Sequence, residues 1–462
     1  MLPPVFVSFL YDDGAMAPFI LAFFATLLTG LILWFPVRNT HKDMRLRDGF
    51  IVVAMFWLVI GLSGSLPLIL SAAPNLSITD AVFESISGLT TTGATVITGL
   101  DELPKSILYY RQQLQWLGGM GIIVLAVAIL PMLGIGGMQL YRAETPGPMK
   151  DAKLTPRITE TAKALWYIYL GLTIVCALSY WVAGMSFFDA LSHSFSTVAI
   201  GGFSTHDLSM AYFDSTLIEM IAVVFMILAG VNFSLHFLAW RNFTLRPYLS
   251  DTEFLTYIKG LVFVALITCM YLYITGTFDF GGAIHNGIFQ AVSIGTTTGF
   301  TTAEYHNWPG FLPALLLLMS FIGGCAGSTG GGMKVIRVLL LIKQGLREVI
   351  RLIHPNAQVP VKIGGKLLEE RVIDAVWGFF SLYVGSFIIM ALLLAASGLD
   401  LVTAFSAVAA CMNNLGPGLG DVGSHYGDIN SAAKWVLCFA MILGRLEIFT
   451  ILVLLTPAFW RN

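Results

Sequence analysis

The chain has 462 residues, of which 56% are hydrophobic and only 11% are charged. Soluble domains carry about a quarter of charged residues, so this composition indicates a membrane protein and excludes an ordinary soluble domain. A net charge of −2 argues against a nucleic-acid partner, which needs a concentrated basic surface.

Nine apolar runs are long enough to cross the hydrocarbon core, which takes about 20 residues. They lie near residues 18–35, 50–70, 114–133, 164–185, 217–240, 258–276, 311–342, 372–396 and 435–457. The first run belongs to an N-terminal segment, 1–47, whose opening stretch from Leu2 to Leu10 is too short to span. This segment has no signal-peptide pattern. We expect either an external N-terminus or a sequence that is truncated before an opening helix.

The other eight runs bracket four copies of one motif in pairs. The first copy runs from Asp80 to Gly93 and ends in Thr-Thr-Thr-Gly. The same spacing recurs in 189–202, 286–299 and 403–416, and Ser87 shares a column with Ser196, Ser293 and Ala410. The pattern predicts one pore unit repeated four times. Its predicted boundaries are 48–140, 160–243, 252–345 and 370–462, the third unit carrying a glycine-rich intramembrane loop.

Each unit is predicted to contain a spanning helix, a half-length helix, a loop and a second spanning helix. The half-length helix is expected to start at a polar residue, which suits a helix N-terminus. These residues are Asp80, Asp189, Asn286 and Thr403. Irregular backbone at membrane depth is tolerated only inside protein or beside water, so the four loops must meet at one cavity. The predicted fold is an all-α polytopic membrane protein with four helix–pore-helix–filter-loop–helix repeats around a pseudo-fourfold pore, plus an extra N-terminal helix.

Lysine and arginine concentrate in the connections between units, which predicts that these connections are cytoplasmic. The cations are Arg38, Lys42, Arg45 and Arg47; Arg142, Lys150, Lys153, Arg157 and Lys163; Arg241, Arg246 and Lys259; and Lys343, Arg347, Arg351, Lys362, Lys366 and Arg371. The opposite side has few cations, namely Lys105, Arg111 and Lys434. Acids such as Asp101 and Asp207 are expected to form a rim there that concentrates cations.

A loop whose backbone is extended and whose glycine adopts unusual dihedral angles can turn its carbonyl oxygens toward an axis. Four such loops make rings of oxygens that replace the hydration shell of a monovalent cation. The predicted metal ligands are the carbonyls of Thr91, Thr92 and Gly93; Ile200, Gly201 and Gly202; Thr297, Thr298 and Gly299; and Asn414, Leu415 and Gly416. An ordinary polar turn would explain one copy, but it does not explain four copies at matched offsets.

With these four loops and the glycine stretch of the third unit, the chain resembles the membrane subunit of the bacterial Trk/Ktr potassium uptake systems, most closely the TrkH type. The resemblance runs from about Asp13 to the C-terminus and departs from the family pattern at the N-terminus. It implies K+ as the transported ion, a homodimer in the lipid bilayer of the bacterial inner membrane, and a cytoplasmic ring of nucleotide-binding, TrkA-type regulatory subunits. Serine in place of the first filter glycine accompanies Na+ transport in relatives, so Gly93 favours K+. No organic cofactor is implied.

The seventh apolar run is interrupted by six glycines in ten residues, and each glycine costs a helix about 1 kcal/mol relative to alanine. We expect a buried loop beneath the filter that acts as a movable barrier, with a static hinge as the alternative. The gate residues are Gly323, Gly324, Gly327, Ser328, Thr329, Gly330, Gly331 and Gly332. A nucleotide-binding P-loop is excluded because Val335, rather than serine or threonine, follows Lys334.

Arg445 lies near the middle of the last apolar run, where a charge is costly and usually faces an interior cavity. One interpretation is a structural ion pair with Glu447 or Glu84. The other assigns Arg445 to the gate, as a positive charge below the filter that raises the barrier to cations. On that interpretation, removing the charge increases ion flux.

No arrangement of serine, histidine and aspartate, or of cysteine and histidine, indicates catalysis, so we expect no enzyme activity. The five cysteines show no paired spacing. The sequence favours gated K+ uptake regulated from the cytoplasm. The alternative is a secondary transporter that couples K+ to H+ or Na+, but such transporters commonly use inverted repeats, whereas these four units are all oriented alike.

Overall fold

The computed structural model describes residues 1–39, 46–124 and 158–461. Its first half contains α1 (Leu2–Tyr11), α2 (Met16–Trp34), α3 (Leu46–Gly64), α4 (Leu66–Leu70), α5 (Ile78–Leu89), α6 (Lys105–Val124), α7 (Ile158–Val182), α8 (Phe187–Ala199), α9 (Thr216–Ala229), α10 (Phe233–Asn242) and α11 (Arg246–Ser250). The second half contains α12 (Thr252–Ile274), α13 (Phe280–Gly295), α14 (Leu312–Ile322), α15 (Val335–Ile353), α16 (Glu370–Ala396), α17 (Leu401–Met412), α18 (Ser431–Arg445), α19 (Phe449–Leu455) and α20 (Pro457–Trp460). Between α15 and α16, strands β1 (Lys362–Ile363) and β2 (Lys366–Leu367) form a small antiparallel hairpin. The all-α polytopic fold class is confirmed.

Five helical stretches in the described part of the chain are long and apolar enough to cross a membrane: Met16–Val37, Asp48–Leu70, Ala162–Val182, Thr252–Ile274 and Glu370–Ala396. They agree with five of the predicted runs. The last four provide the first span of each repeat. The predicted run 114–133 is described only as far as Val124, the end of α6. The predicted cytoplasmic cations Lys42, Arg45, Arg142, Lys150, Lys153 and Arg157 lie outside the described residues.

The second spans differ from the prediction. Runs 217–240 and 435–457 were predicted to be continuous, and this is wrong: α9 and α10 meet at 95°, and α18 and α19 meet at 117°. At the second of these breaks Glu447 and Ile448 both have positive φ angles, of 55° and 42°. The third repeat is broken as predicted, between α14 and α15. The second spans of repeats 2, 3 and 4 are therefore all interrupted by a break in the helix.

The four half-length helices, α5, α8, α13 and α17, are called the pore helices below. Their predicted starts were wrong, because the caps lie upstream at Ser77, Ser186, Asp279 and Asp400. In the first repeat the Asp80 amide donates to Ser77 Oγ at 3.2 Å, and the hydroxyl donates back to the Asp80 carboxylate at 2.7 Å. Asp80 is thus the third helical residue, and its side chain holds the hydroxyl of the cap. Asp189 has the same relation to Ser186.

The second span of each repeat packs on the pore helix of the next repeat. α6 packs on α8, α9 on α13, α14 on α17, and α18 returns to α5. This order closes a ring within one chain. The C-terminal halves of the pore helices are buried, so the segments that follow them lie at the centre of the ring.

Candidate functional site

The four predicted filter segments meet at the centre of the ring. A β-carbon built on Gly93 would lie 2.1 Å from the Gly201 carbonyl oxygen, and one on Gly202 would lie 2.0 Å from that of Thr298. A β-carbon built on Gly299 would lie 2.2 Å from the Leu415 carbonyl oxygen, and one on Gly416 would lie 2.7 Å from the Thr92 carbonyl oxygen. Each glycine therefore abuts the middle carbonyl of a neighbouring repeat, and the sequence of contacts returns to its start. Eight of the twelve predicted ligand residues, the middle residue and the glycine of each segment, make these contacts.

The backbone of each filter segment alternates in handedness. The first residue has a positive φ of 54° at Thr91, 56° at Ile200, 69° at Thr297 and 53° at Asn414, and the glycine two residues later has a φ between 78° and 98°. The residue between them does not have a positive φ. A left-handed conformation costs a residue with a side chain about 1–2 kcal/mol. The same costly alternation occurs in all four segments, although their sequences are Thr-Thr-Gly twice, Ile-Gly-Gly and Asn-Leu-Gly, and it indicates a backbone shape that the site requires.

The end of each pore helix sets this shape. The amide of the middle filter residue donates to a carbonyl five residues earlier: Thr92 to Ser87 at 2.9 Å, Gly201 to Ser196 at 2.8 Å, Thr298 to Ser293 at 2.8 Å, and Leu415 to Ala410 at 2.7 Å. The preceding residue also donates to a carbonyl three residues back. These paired bonds are a Schellman helix end, which demands the left-handed residue. The serines that recur at matched positions of the motif accept these hydrogen bonds with their backbone carbonyls. Their side chains are not needed for the bonds, which explains why Ala410 can stand at the same position in the fourth repeat.

The glycine stretch 323–332 lies directly against the filter segments. The Gly331 amide donates to Thr297 Oγ1 at 2.7 Å, and the Gly332 amide donates to the Asn413 carbonyl at 3.0 Å. A β-carbon on Gly331 would lie 1.9 Å from that Asn413 oxygen. Thr329 Oγ1 donates to the Val198 carbonyl at 3.0 Å, at the end of α8. The stretch therefore contacts three of the four repeats.

A second set of contacts holds the start of this stretch to the break in repeat 2. The Cys325 amide donates to the Gly230 carbonyl at 2.8 Å, and the Phe233 amide donates to the Gly327 carbonyl at 3.0 Å. Gly324 also packs against Gly230. The broken second spans of repeats 2 and 3 are therefore joined to each other beneath the filter.

Arg445 is the last residue of α18 and is only 5% exposed. Its Nη1 donates to the Thr329 carbonyl at 3.1 Å, while Nε and Nη2 have no hydrogen-bond partner among the described residues. The predicted ion pairs are wrong, because each candidate carboxylate binds another arginine: Glu447 binds Arg337 at 2.7 Å, and Glu84 binds Arg111 at 2.7 Å. Arg445 is instead a buried cation against the glycine stretch.

Arg111 and Lys434, two of the three cations assigned to the predicted external side, are both buried. Lys434 is 5% exposed and binds Asp80 at 2.6 Å. Arg111 is 1% exposed and binds Glu84, which is fully buried. Glu84 also accepts from Thr95 Oγ1 and from the Val96 amide at 2.9 Å. The pair therefore ties pore helix α5 to the chain that leaves the first filter segment. In the sequence, this buried ion pair is indicated by a glutamate, Glu84, inside the apolar pore helix.

Breaking this pair should destabilise the protein strongly. Arg111→Gln leaves a buried carboxylate without its cation, and such changes cost about 3–5 kcal/mol. Chemical unfolding in detergent, followed by tryptophan fluorescence, measures the effect. Arg351→Gln is the matched control, because Arg351 pairs with Glu348 at 38% and 49% side-chain exposure and such pairs contribute less than about 1 kcal/mol. Equal losses in the two variants would contradict this account.

His206 lies on the predicted external side between repeats 1 and 2. Its Nδ1 binds the Asp101 carboxylate, its Nε2 lies 3.4 Å from Asp189 Oδ1, and its ring stacks on Tyr212. Burial alone would lower the pKa of His206, but the two carboxylates outweigh it and raise the pKa above its usual value. The imidazole therefore bridges the two repeats, and the bridge is strongest when the ring is protonated.

This bridge should make stability depend on pH. Because the folded-state pKa is raised, the stabilisation by His206 is complete below the unfolded value of about 6.5 and is lost as pH rises through the folded value. Unfolding of His206→Gln, compared with wild type over pH 5–9, should show its largest deficit at low pH. The deficit should shrink in an Asp101→Asn background. A deficit that grows with pH would contradict the assignment.

Comparisons of the sequence and of the structure with known proteins lead to the same family. The family model TrkH, described as a cation transport protein, matches residues 16–461. The chain is 60% identical to the Trk system potassium uptake protein TrkH of Vibrio parahaemolyticus and 54% identical to that of Escherichia coli K12, covering 100% of this chain and 96% of each relative. It is also similar to the crystal structure of the potassium transporter TrkH from Vibrio parahaemolyticus, with a TM-score of 0.92, 57% identity and coverage of 100% and 96%.

These matches, together with the apolar helices, establish a multi-pass protein of the inner membrane. They confirm the resemblance that the four motifs indicated. The chain belongs to the TrkH family of cation transport proteins.

Proposed function

We propose that the chain takes up potassium ions across the inner membrane through a selectivity filter of backbone carbonyls. The observation that carries the proposal is the closed ring in which Gly93, Gly202, Gly299 and Gly416 each abut a neighbouring repeat. Rings of backbone oxygens replace the hydration shell of K+ in ion filters. The ligands are the twelve carbonyls from 91–93, 200–202, 297–299 and 414–416, supplied by the repeats 48–140, 160–243, 252–345 and 370–462. Relatives named as potassium uptake proteins support the choice of ion.

The gate of this proposal is the stretch Gly323–Gly332 together with Arg445. Its support is the set of contacts from Gly331, Gly332 and Thr329 to three repeats, and the hydrogen bond from Arg445 to Thr329. In this proposal the glycine stretch, which lies directly against the filter segments, and the buried cation beside that stretch together block the ion path at rest. Opening then requires the broken second spans to move apart, which their breaks permit.

The protein is further proposed to act as a homodimer and to be regulated by a cytoplasmic ring of TrkA-type, nucleotide-binding subunits. Family membership is the support for both partners. The gate is joined to α15 and α10 on the predicted cytoplasmic side. A partner that binds and moves these helices would therefore also move the gate beneath the filter.

Ion flux into liposomes that contain the purified protein tests the proposal. We expect K+ entry down its electrochemical gradient, with discrimination against Na+, and no dependence on an imposed proton or sodium gradient. The expected contrast distinguishes a channel-like filter from a secondary transporter. Flux that requires H+ or Na+ co-movement would support the transporter instead, and absence of K+ flux would refute both.

A further inference from the structure

One filter segment differs from the others in composition. Its middle residue is Gly201, where the other repeats have Thr92, Thr298 and Leu415. Gly201 and Gly202 are consecutive residues without side chains, so this segment has the least intrinsic restraint on its backbone. A filter that must hold carbonyls at fixed positions needs an additional restraint at this repeat.

Helix α6 of the first repeat supplies polar groups at this place. Gln115 Nε2 donates to the Gly201 carbonyl at 2.6 Å, and Gln115 Oε1 accepts from the Phe203 amide at 3.1 Å. The two bonds lie on either side of Gly202. Gln115 is fully buried, and its amide oxygen and nitrogen are both used on the filter segment.

Two further residues of the same helix extend the contact. Gln112 Nε2 donates to the Phe203 carbonyl at 3.1 Å, and Arg111 Nη1 donates to the Ser204 carbonyl at 3.2 Å. Residues 111, 112 and 115 share one face of a helix, because positions three and four apart are neighbours. Four hydrogen bonds from one helix thus hold residues 201–204 of the next repeat.

The lack of a side chain at Gly201 is explained by the same contact. A β-carbon there would lie 2.4 Å from Gln115 Cδ and 2.5 Å from its Oε1. The Gln115 amide therefore occupies the space beside Gly201, so a side chain at this position would collide with it. The glycine and the glutamine form a matched pair.

Resting on the proposed function, we infer that Gln115 is a positioning residue for ion selectivity: it fixes the Gly201 carbonyl in the filter by bonding from the neighbouring repeat. Without it, the two-glycine segment can adapt to a smaller ion, and the filter discriminates less between K+ and Na+.

The test compares Gln115→Met with Gln113→Met in liposomes, with K+ and Na+ flux measured on the same preparation. Gln113 lies on the same helix and makes no hydrogen bond to a filter segment through its Oε1. Gln115→Met should lower the K+ to Na+ flux ratio about three- to tenfold, the range expected from one net hydrogen bond, while Gln113→Met leaves it unchanged. An unchanged ratio in folded Gln115→Met overturns the inference.

A second pair of variants covers the case in which Gln115→Met does not fold. Gly201→Ala should reduce K+ flux at least about fivefold through overpacking, and Gln115→Ala in the same chain should restore most of it with a lowered ion ratio. No restoration, or restoration with a wild-type ratio, overturns the inference. If the wild type itself does not prefer K+, the proposed function fails; if it does and these ratios stay constant, only the role of Gln115 fails.

Discussion

Replacing Gly93 with alanine should abolish potassium uptake. The added β-carbon would lie 2.1 Å from the Gly201 carbonyl oxygen, which is backbone and has no free rotation by which to yield. Alanine at a φ of 80° adds about 1–2 kcal/mol of strain, and overpacking adds about 1–3 kcal/mol. The two effects together are about 2–5 kcal/mol, so the carbonyls must move, and we expect K+ flux to fall at least about 30-fold.

Gly99→Ala is the matched control for this prediction. Gly99 has a similar φ of 72°, but nothing lies within 4 Å of the position that an added methyl group would take, so it carries the backbone strain without the collision. Liposome flux and thermal unfolding in detergent are measured for both variants. The control should lose stability and keep its flux. Similar losses of flux in both would mean that strain alone, and not closure of the ring, explains the effect.

Removing the charge of Arg445 should increase ion flux. The guanidinium donates one hydrogen bond, to Thr329, and no carboxylate among the described residues neutralises it. Two unit charges about 5 Å apart interact by about 3 kcal/mol at an effective dielectric constant near 20. Arg445→Ala should therefore raise K+ flux about 100-fold, measured in liposomes without a regulatory partner.

The comparison variant is Arg445→Lys, which keeps the charge and should keep flux within about threefold of wild type. If Arg445→Ala folds normally and transports at the wild-type rate, the charge has no part in the gate. If lysine and alanine give the same increase, the hydrogen bond to Thr329, rather than electrostatics, closes the path.

The ring of four segments could be predicted from the sequence because its shape depends on the backbone and on where glycine stands. The spacing from Asp80 to Gly93 recurs four times, and the left-handed position accepts threonine, isoleucine or asparagine. Glycine is required where the next repeat approaches too closely for a β-carbon. Spacing and glycine placement are visible in a sequence, so Ile200 and Leu415 could be assigned to the ring despite their different side chains.

The helix starts and the breaks were predicted less well, for different reasons. Asp80 and Asp189 resemble cap residues, but an upstream serine takes the cap and makes the aspartate its partner. The breaks at 230–232 and 446–448 lie inside runs that are still long and apolar enough to pass as membrane spans when each bent pair is taken together. Only the contacts of Gly230 with Cys325, and of Glu447 with Arg337, reveal why the helix stops there.

The partners of buried charges could not be predicted, because they join distant parts of the chain. Arg445 had Glu447 and Glu84 as plausible partners by position, yet Arg337 and Arg111 bind them. Gln115 was missed altogether. Its signal was a group of polar residues, Arg111, Gln112, Gln113 and Gln115, at the start of the predicted apolar run 114–133.

The most direct test of the central claim is to locate the ion. Crystals of the protein grown with Rb+ or Tl+, which substitute for K+ and scatter anomalously, should give peaks on the axis between Gly93, Gly202, Gly299 and Gly416, within about 3 Å of the surrounding carbonyl oxygens. Peaks that weaken in Gly93→Ala would agree with the account. An empty ring, with the heavy ions bound elsewhere in the membrane region, would contradict it.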